Sequence, residues 1–279
     1  MKHDTLGEAG FSYAPCRYGT SRIFFRGPRR PLDGKYIAFV GGNETYGKFI
    51  ERPFPALVED DLGEVCVNFG CINASIDAFA NDPTILAACH DARLNIVQVM
   101  GAQNMSNRFY TVHPRRNDRF LRASSVLQAL YPEVDFSDFC FTRHMLGALY
   151  AVSPERFEIL RRELEEAWVA RMTRFLTEIG SHVYLFWFAE RLPSDAPWDS
   201  RAEPFRFDPL FVTRRMVNCL RPLVRGVIMV QPSSRAVARG TDGMVFSPFQ
   251  ASAAAAALSI TAHQEAAAAL TGAIRAERG

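Results

Sequence analysis

Apolar residues in this chain fall into short continuous runs that alternate with helix-like segments. Five runs have the length and the β-branched or aromatic content of buried strands: residues 36–40, 64–68, 96–100, 183–188 and 226–230. Continuous runs of this kind are typical of parallel strands that are covered on both faces. The alternation predicts an α/β protein with a three-layer, doubly wound, mainly parallel five-stranded sheet.

Two helices are predicted most clearly in the second half of the chain. Ser153 followed by Pro154 is the usual order of an N-cap and a first helical position, and apolar residues then recur at helical spacing as far as Ile179. The segment 251–275 is dense in alanine, which favours one helix over its whole length.

Two segments do not fit the alternation and predict additions to a single domain of residues 1–279. Residues 1–34 precede the first apolar run, and residues 103–150 separate the third run from the helix that begins near residue 153. An insertion of that length in a compact domain is usually functional or a lid. We expect both segments to pack on the domain, the second as an arginine-rich insertion.

Composition and charge exclude several classes of protein. Hydrophobic residues make up 48% and charged residues 22% of the chain, and the formal net charge is +2. No run reaches the ~18 apolar residues of a membrane span, and the first residues contain no apolar signal-peptide core. Glycine-rich nucleotide motifs and known nucleic-acid reader motifs are absent. The six cysteines lack CxxC spacing.

From these observations we expect a cytoplasmic protein with reduced thiols, no metal and no cofactor. We also expect neither a membrane nor a nucleic-acid partner. The sequence leaves the oligomeric state open.

Polar, glycine-containing turns follow the first three apolar runs. They read GGNETYG from Gly41, NFGCINA from Asn68 and GAQN from Gly101. Because ligands of open α/β sheets bind outside the carboxyl ends of the strands, we expect these turns to converge on one polar site. The candidate binding residues in these turns are Gly42, Asn43, Glu44, Gly70, Gln103 and Asn104.

These three turns resemble the sequence blocks of the SGNH/GDSL hydrolase superfamily. That superfamily has a serine-bearing turn after strand one, a glycine after strand two and a Gly-x-Asn turn after strand three. The resemblance covers about residues 35–105 and implies a flavodoxin-like, SGNH-like sheet. It puts Asn43 at the nucleophile position, the Gly70 N–H in an oxyanion hole, and the Gln103 amide at a second donor position.

A second resemblance is carried by longer strings. The stretches YGTSRIFFRGPRR, GAQNMSNRFYTVHPRRNDRF and VDFSDFCFTRH are similar to an alphaproteobacterial family of unknown function. This resemblance implies no activity.

The chain departs from the hydrolase pattern at both catalytic positions. Asn43 has no nucleophilic oxygen and does not replace a serine. The superfamily ends with an Asp-x-x-His block; here Asp242 is followed by Val245 at the histidine position, and His263 falls about two turns too late. His113 is the alternative base, and the competing interpretation is a loop histidine bonded to the backbone.

Arginines are concentrated in the insertion. Arg108, Arg115, Arg116, Arg119 and Arg122 lie close together in sequence with a single acid, Asp118. Guanidinium groups match the oxygens of phosphate, sulfate or carboxylate. We therefore expect Arg108, Arg115, Arg116 and Arg119 to lie over the strand-end turns and bind an anionic ligand. The alternative is a solvated basic face.

Two functions follow and stay open at this point. The first is an SGNH-hydrolase-like protein that binds a small anionic or carbohydrate-linked ligand at the strand ends, as a hydrolase or transferase with a non-standard catalytic set. The second is a non-catalytic binding or assembly protein in surface-polysaccharide biology that kept the scaffold and lost the triad. One scaffold hosts many functions, so fold alone does not choose between them.

Overall fold

The computed structural model describes residues 12–196, 205 and 208–277. Five parallel strands form the central sheet, and two more form an antiparallel hairpin. The sheet strands are β1 (Ile37–Gly41), β2 (Cys66–Gly70), β3 (Leu94–Gln98), β6 (Val183–Phe188) and β7 (Gly226–Val230). The hairpin strands are β4 (Tyr110–His113) and β5 (Arg116–Ala123).

Strand order confirms the predicted fold class. The sheet runs β2-β1-β3-β6-β7 and every neighbouring pair is parallel. This is the flavodoxin-like order, in which the chain first adds a strand on one side of β1 and then continues on the other side. The switch between β1 and β3 leaves a crevice at the carboxyl ends of the strands.

Helices connect the strands and cover the sheet. They are α1 (Asn43–Tyr46), α2 (Phe54–Leu62), α3 (Ile76–Ala80), α4 (Pro83–Asp91), α5 (Ser125–Leu130), α6 (Thr142–Val152), α7 (Pro154–Ile179), α8 (Arg214–Cys219), α9 (Ser234–Arg239), α10 (Ala251–Ala255) and α11 (Ile260–Ala276). Short 3-10 turns occupy Phe136–Asp138, Arg221–Leu223 and Pro248–Gln250. No helix in these described ranges is long and apolar enough to cross a lipid bilayer.

Two hydrophobic cores lie on opposite faces of the sheet. In β1, Ala38 and Val40 belong to one core, whereas Ile37 and Phe39 belong to the other, because successive side chains of a strand point to opposite faces. Helices α3, α4 and α7 contact one another in the layer on one face. Helix α11 packs against α2, α9 and β7 in the other layer.

Helix α7 confirms the prediction made from the Ser153-Pro154 pair. The Ser153 side chain accepts a hydrogen bond from the Arg156 N–H, and the helix extends from Pro154 to Ile179. Its buried side chains recur at helical spacing, from Phe157 to Ile179. This long helix packs with α3 and α4 in the layer on one face of the sheet.

The last helical segment differs from the prediction of one continuous helix. Helix α10 ends at Ala255 and α11 begins at Ile260, where the Ser259 side chain accepts from the Ala262 N–H as an N-cap. Alanine propensity did not reveal this break, because the break depends on the serine that caps a second helix at residue 259. The break leaves residues 256–259 as a loop.

Residues of the segment before β1 are built into the core. The rings of Tyr18 and Phe25 contact that of Phe69 on β2, with centroids 5.1 and 5.3 Å apart. Arg26 is also buried, and its guanidinium donates to the backbone oxygens of Gly47 and Glu51, both at 2.6 Å. This segment therefore supports the chain that follows α1.

The arginine-rich insertion contains the β4–β5 hairpin, α5 and α6. Asn117 at the start of β5 is fully buried, and its Oδ1 accepts from the N–H and the hydroxyl of Ser75 at 2.8 and 3.0 Å. A bridge between Arg119 and Phe141 connects the hairpin to the start of α6. These bonds fix the hairpin beside the strand-end turns.

Strand β2 forms one edge of the sheet, and side chains occupy part of its outward backbone. Glu59 on α2 accepts from the Cys66 N–H at 2.8 Å, and Asn68 Oδ1 accepts from the Gly70 N–H at 2.7 Å. Along β2, these two outward N–H groups alternate with the N–H groups that point to β1 and bond it.

Candidate functional site

A cavity of about 850 Å³ lies at the carboxyl ends of β1, β3 and β6. Turns after β1, β2 and β3 form its floor, and the hairpin, the start of α6 and the segment 252–258 form its walls. Its polar and charged lining residues are Asn43, Glu44, Lys48, Asn73, Gln98, Gln103, Asn104, Asp118, Thr142, Arg143, Glu190, Asp208, Ser252 and His263. The expected convergence of the strand-end turns is therefore present in the fold.

The absence of a side chain at Gly41 allows the turn after β1 to close. A Cβ there would lie 2.1 Å from Thr45 Oγ1 and 2.4 Å from Gln98 Oε1. Gly70 is constrained in the same way, since a Cβ would lie 2.2 Å from the Tyr46 nitrogen. Both glycines permit close approach of α1 to the sheet.

Gln98, at the end of β3, organises the turn that carries Asn43 and Glu44. Its Oε1 accepts from the Gly42 N–H at 3.0 Å, the Thr45 N–H at 3.2 Å and the Thr45 hydroxyl at 2.6 Å. Its Nε2 donates to Glu44 Oε2 at 2.5 Å. One buried amide thus fixes both the backbone of the turn and the carboxyl group of Glu44.

The pKa of the Glu44 carboxyl group is raised in the folded protein. Burial raises its pKa, the hydrogen bond from Gln98 lowers it, and the negative charge of Asp208 raises it again, with a net increase. The protonated form of Glu44 is therefore favoured more than in an ordinary exposed glutamate. A protonated carboxyl group can act as a hydrogen-bond donor or as a general acid.

Asn43 occupies the nucleophile position named by the superfamily resemblance, and its orientation is fixed. Its Oδ1 accepts from the Asn73 N–H at 2.8 Å, so its Nδ2 group is the end that faces solvent. The Asn73 side chain in turn donates to Asp118 Oδ2 at 3.1 Å. Asn43 is therefore a hydrogen-bond donor at a place where the superfamily has a nucleophile.

Gln103 and Asn104 both line the cavity, and their side-chain amides form hydrogen bonds with other lining residues. Gln103 Nε2 donates to Asp208 Oδ1 at 3.1 Å, while its Oε1 is buried without a partner among the described residues. Asn104 Oδ1 accepts from the Thr142 hydroxyl at 2.6 Å. The donor that the resemblance assigned to an oxyanion is thus already bonded to Asp208.

Arg143 and Asp208 form an ion pair at the cavity wall. One guanidinium nitrogen of Arg143 lies 2.9 and 2.7 Å from the two carboxylate oxygens of Asp208. Both side chains remain partly exposed. This pair joins α6 to the chain that precedes α8.

His263 lies in the first turn of α11 and lines the cavity. Its Nδ1 accepts from the Phe54 N–H at 3.1 Å. In sequence His263 lies about two turns beyond the histidine position of the Asp-x-x-His block. It nevertheless lines the cavity, because the helix restarts only at Ile260 after the break that follows α10.

The structure does not place the predicted base at the cavity. His113 Nδ1 accepts from the backbone N–H groups of Arg115 and Arg116, both at 3.2 Å, at the tip of the hairpin. This arrangement corresponds to the alternative interpretation of a loop histidine bonded to the backbone. His113 is not among the residues that line the cavity.

The four arginines that we expected over the strand-end turns do not line the cavity either. Arg115 and Arg116 are exposed at the hairpin tip, Arg108 pairs with Glu163 on α7, and Arg119 lies over the Phe141 ring at 4.3 Å. The hairpin is anchored through Asn117, so it presents Asp118 to the cavity and turns these arginines elsewhere.

The Gly70 N–H is likewise occupied, since it donates to Asn68 Oδ1. Gly70 does not line the cavity, and the predicted oxyanion role has no support in this geometry. Gly42, Asn43, Glu44, Gln103 and Asn104 do line it, and ligand binding by them stays a prediction.

No group of three or more His, Cys, Asp or Glu side chains in the described part of the chain is arranged to hold a metal ion. Cys71, which follows β2, offers no nucleophilic thiolate either, because burial raises its pKa to about 12. The chemical groups of the cavity are therefore carboxyl, amide, hydroxyl, imidazole and two basic side chains.

Residues 1–278 match the family described as Domain of unknown function (DUF6473). The chain belongs to this family. The longer sequence strings had indicated a family of unknown function, and DUF6473 is such a family. A comparison with curated protein sequences found no match.

Among solved structures, this DUF6473 protein is similar to the lipase Lip_vut3 from a goat rumen metagenome. The two share 16% identity over 87% of this chain and 96% of the lipase, with a TM-score of 0.37. A likeness at that TM-score carries no argument about activity.

Gln98, Arg143, Asp208 and His263 were not identified from the sequence of this DUF6473 protein as parts of the cavity. Gln98 did carry a signal, because a glutamine inside the apolar run LNIVQVM is unusual for a buried strand. Asp208 lies in a stretch without periodicity. Arg143 and His263 belong to helices whose starting points decide where these side chains lie.

Proposed function

We propose that this protein is an SGNH-hydrolase-like protein that binds a carbohydrate-linked ligand in the strand-end cavity. We further propose that Glu44 exchanges a proton with that ligand in a hydrolysis or transfer reaction. The observation that carries the proposal is the Glu44 carboxyl group, which lines the cavity, is held by Gln98 and has a raised pKa.

Charge in the cavity favours a neutral ligand over an anion. Four carboxyl groups line it, those of Glu44, Asp118, Glu190 and Asp208, against the basic groups of Lys48 and Arg143. Arg143 is already paired with Asp208. A free anion would therefore meet more negative than positive charge, whereas hydroxyl groups of a sugar are compatible with both.

The hydrogen-bonding groups of the cavity support the same ligand class. Asn43 Nδ2 is a donor, and the carboxylates of Asp118 and Glu190 are acceptors. A hydroxyl group both donates and accepts, so a hydroxyl-rich ligand satisfies sites of either kind.

Because Asn43 has no nucleophilic oxygen, we assign the attack on the ligand to a water molecule. The oxygen of a water molecule forms the new bond to the ligand carbon while the bond from that carbon to the leaving oxygen breaks. Glu44 gives its proton to the leaving oxygen, and the surplus proton of the attacking water returns through solvent to Glu44. This sequence needs one carboxyl group with a raised pKa and no covalent intermediate.

Calorimetric titration and turnover assays test the proposal. Native protein should bind neutral saccharides such as N-acetylglucosamine more tightly than phosphate or sulfate, and should release product from acetylated saccharides or aryl glycosides. Glu44→Gln keeps the size of the side chain and removes its proton, so we expect turnover to fall about 100-fold or more with little change in affinity. Glu166→Gln, at an exposed position of α7, is the matched control. Equal turnover in the two variants would remove Glu44 from the chemistry.

A second function is favoured by Asn43 itself. The side chain at the nucleophile position is bonded to Asn73 and lacks any oxygen nucleophile, as in a protein that binds without reacting. Saccharide binding by the native protein without turnover of any tested substrate would select this non-catalytic function.

A further inference from the structure

His263 packs in an apolar setting next to the cavity. Its ring centroid lies 5.7 Å from that of Phe54 and 5.3 Å from that of Phe188, and the residue is only 1% exposed. It nevertheless belongs to the cavity lining. One edge of the imidazole is therefore enclosed by protein, and the little surface that remains accessible belongs to the cavity.

The hydrogen bond from Phe54 fixes the tautomer of this imidazole. Nδ1 accepts the Phe54 backbone N–H at 3.1 Å, so Nδ1 carries a lone pair and the proton of the neutral ring is on Nε2. Within residues 12–196, 205 and 208–277, no protein group accepts a hydrogen bond from Nε2. Nε2 is also not one of the fully enclosed unpaired atoms, which leaves it open to the cavity.

The neutral form of His263 is strongly favoured. Burial, followed by the positive charge of the nearby Arg26 guanidinium, lowers the pKa of His263 to about 3. Arg26 is itself held behind α1 by the backbone oxygens of Gly47 and Glu51. A second proton on the ring would break the Phe54 bond as well as place two cations near each other.

We propose that His263 is a fixed, neutral hydrogen-bond donor of the cavity, whose Nε2–H binds an acceptor oxygen of the ligand. The acceptor is a hydroxyl, ring or carbonyl oxygen of a saccharide, and this assignment rests on the proposed function of the cavity. The role is opposite to that of a catalytic base, which needs the lone pair on the nitrogen that faces the substrate.

Nitrogen NMR of the histidine-labelled full chain tests the tautomer without any ligand. We expect His263 to show a protonated Nε2 and an unprotonated Nδ1, with shifts that stay constant between pH ~5 and ~8, where an ordinary histidine titrates. A proton on Nδ1, or titration of His263 in that range, overturns the proposal.

Two substitutions separate the nitrogens of the ring. His263→Asn keeps an acceptor near Nδ1 for the Phe54 N–H and removes the donor, whereas His263→Gln retains an N–H near Nε2 and loses that acceptor. With N-acetylglucosamine as the probe, we expect His263→Asn to weaken binding about three- to tenfold and His263→Gln to change it less than twofold. Circular dichroism and thermal melting establish that both variants fold.

The outcomes distinguish this inference from the proposed function. If native protein binds N-acetylglucosamine and His263→Asn binds it equally well, the donor role is overturned and the cavity keeps its proposed ligand class. If native protein binds no saccharide, the proposed function and the donor role fail together. A perturbed Nε2 resonance on saccharide addition, combined with weaker binding by His263→Asn, supports both.

Discussion

Each end of the Gln98 amide serves a different part of the turn after β1. The oxygen accepts from two backbone N–H groups and one hydroxyl, and the NH₂ group donates to Glu44. Buried donors that lose their acceptor cost more free energy than the original hydrogen bonds contribute. We therefore regard Gln98 as the residue that links the stability of the turn to the state of Glu44.

Replacing Gln98 by methionine should destabilise the protein by about 2–4 kcal/mol, because the N–H groups of Gly42 and Thr45 lose their acceptor. Urea unfolding of the full chain measures this change. Gln128→Met, at an exposed position of α5, provides the control and should alter stability by less than about 0.5 kcal/mol. A Gln98→Met variant as stable as the control would contradict the assigned role.

Glu44 should make the stability of the native protein depend on pH. Its pKa is raised in the folded state, so between the unfolded and folded pKa values the folded state binds more protons than the unfolded state. The native protein should therefore lose stability relative to Glu44→Gln as the pH rises above about 4.3, and a tenfold stronger proton affinity in the folded state corresponds to a loss of ~1.4 kcal/mol. Unfolding curves of both proteins from pH ~4 to ~8 give the difference. A constant difference across that range would show that the carboxyl group is not perturbed.

The break between α10 and α11 is the element that completes the cavity. Residues 252–258 form one wall, and the restart at Ile260 puts His263 in the first turn of α11. Ser259 holds this arrangement in two ways: its oxygen accepts from the Ala262 N–H, and its hydroxyl donates to the Ala236 oxygen at 2.7 Å. A single side chain thus fixes both the start of α11 and its position against α9.

Ser259→Ala should cost about 1–2 kcal/mol, in the upper range for a lost N-cap, because a second buried hydrogen bond is lost with it. Ser252→Ala, at an exposed position of α10, is the matched control. Thermal melting followed by circular dichroism compares the two. Equal melting temperatures would mean that Ser259 does not maintain the break.

The elements differ in how well the sequence predicts them. Strands β6 and β7 coincide with the apolar runs 183–188 and 226–230, because neither run contains a charged residue or a proline that would favour another structure. Strands β2 and β3 are each shifted by two residues from the predicted runs, because pairing with β1 aligns Cys66 and Leu94 with Ile37. Parallel register depends on neighbouring strands, and a single run does not contain that information.

At the scale of the whole molecule, the site is assembled from distant parts of the chain. Asn43, Gln103 and Asn104 were predictable because each follows a strand of an ordered sheet. Arg143, Asp208 and His263 reach the same cavity through helix starts and an aperiodic stretch, so no spacing in the sequence brings them together. The position of the arginines over the turns was predicted only from their density in the sequence. In the structure, the hydrogen bond between Asn117 and Ser75 decides which hairpin residues face the cavity.

Arg26 connects the segment before β1 to this site, and its removal should affect both. Arg26→Met leaves three backbone oxygens, those of Tyr46, Gly47 and Glu51, without their donor, so we expect a loss of about 2–4 kcal/mol. It also removes a positive charge near His263, whose pKa should rise while remaining below its ordinary value.

Urea unfolding and histidine NMR titration of the same variant measure the two effects. The exposed Arg22→Met is the control for loss of a positive charge. An unchanged pKa of His263 in Arg26→Met would show that the charge of Arg26 does not act on the His263 ring.

The side chains that cover the outer backbone of β2 have a consequence for the behaviour of the protein in solution. An uncovered strand edge is a template on which another chain can add a strand and start an aggregate. Glu59 and Asn68 place an acceptor on the Cys66 and Gly70 N–H groups, so an incoming strand would first have to displace a carboxylate and an amide. The Gly70 N–H, which the superfamily resemblance assigned to an oxyanion hole, is thus one of the two donors that side chains cover on this edge.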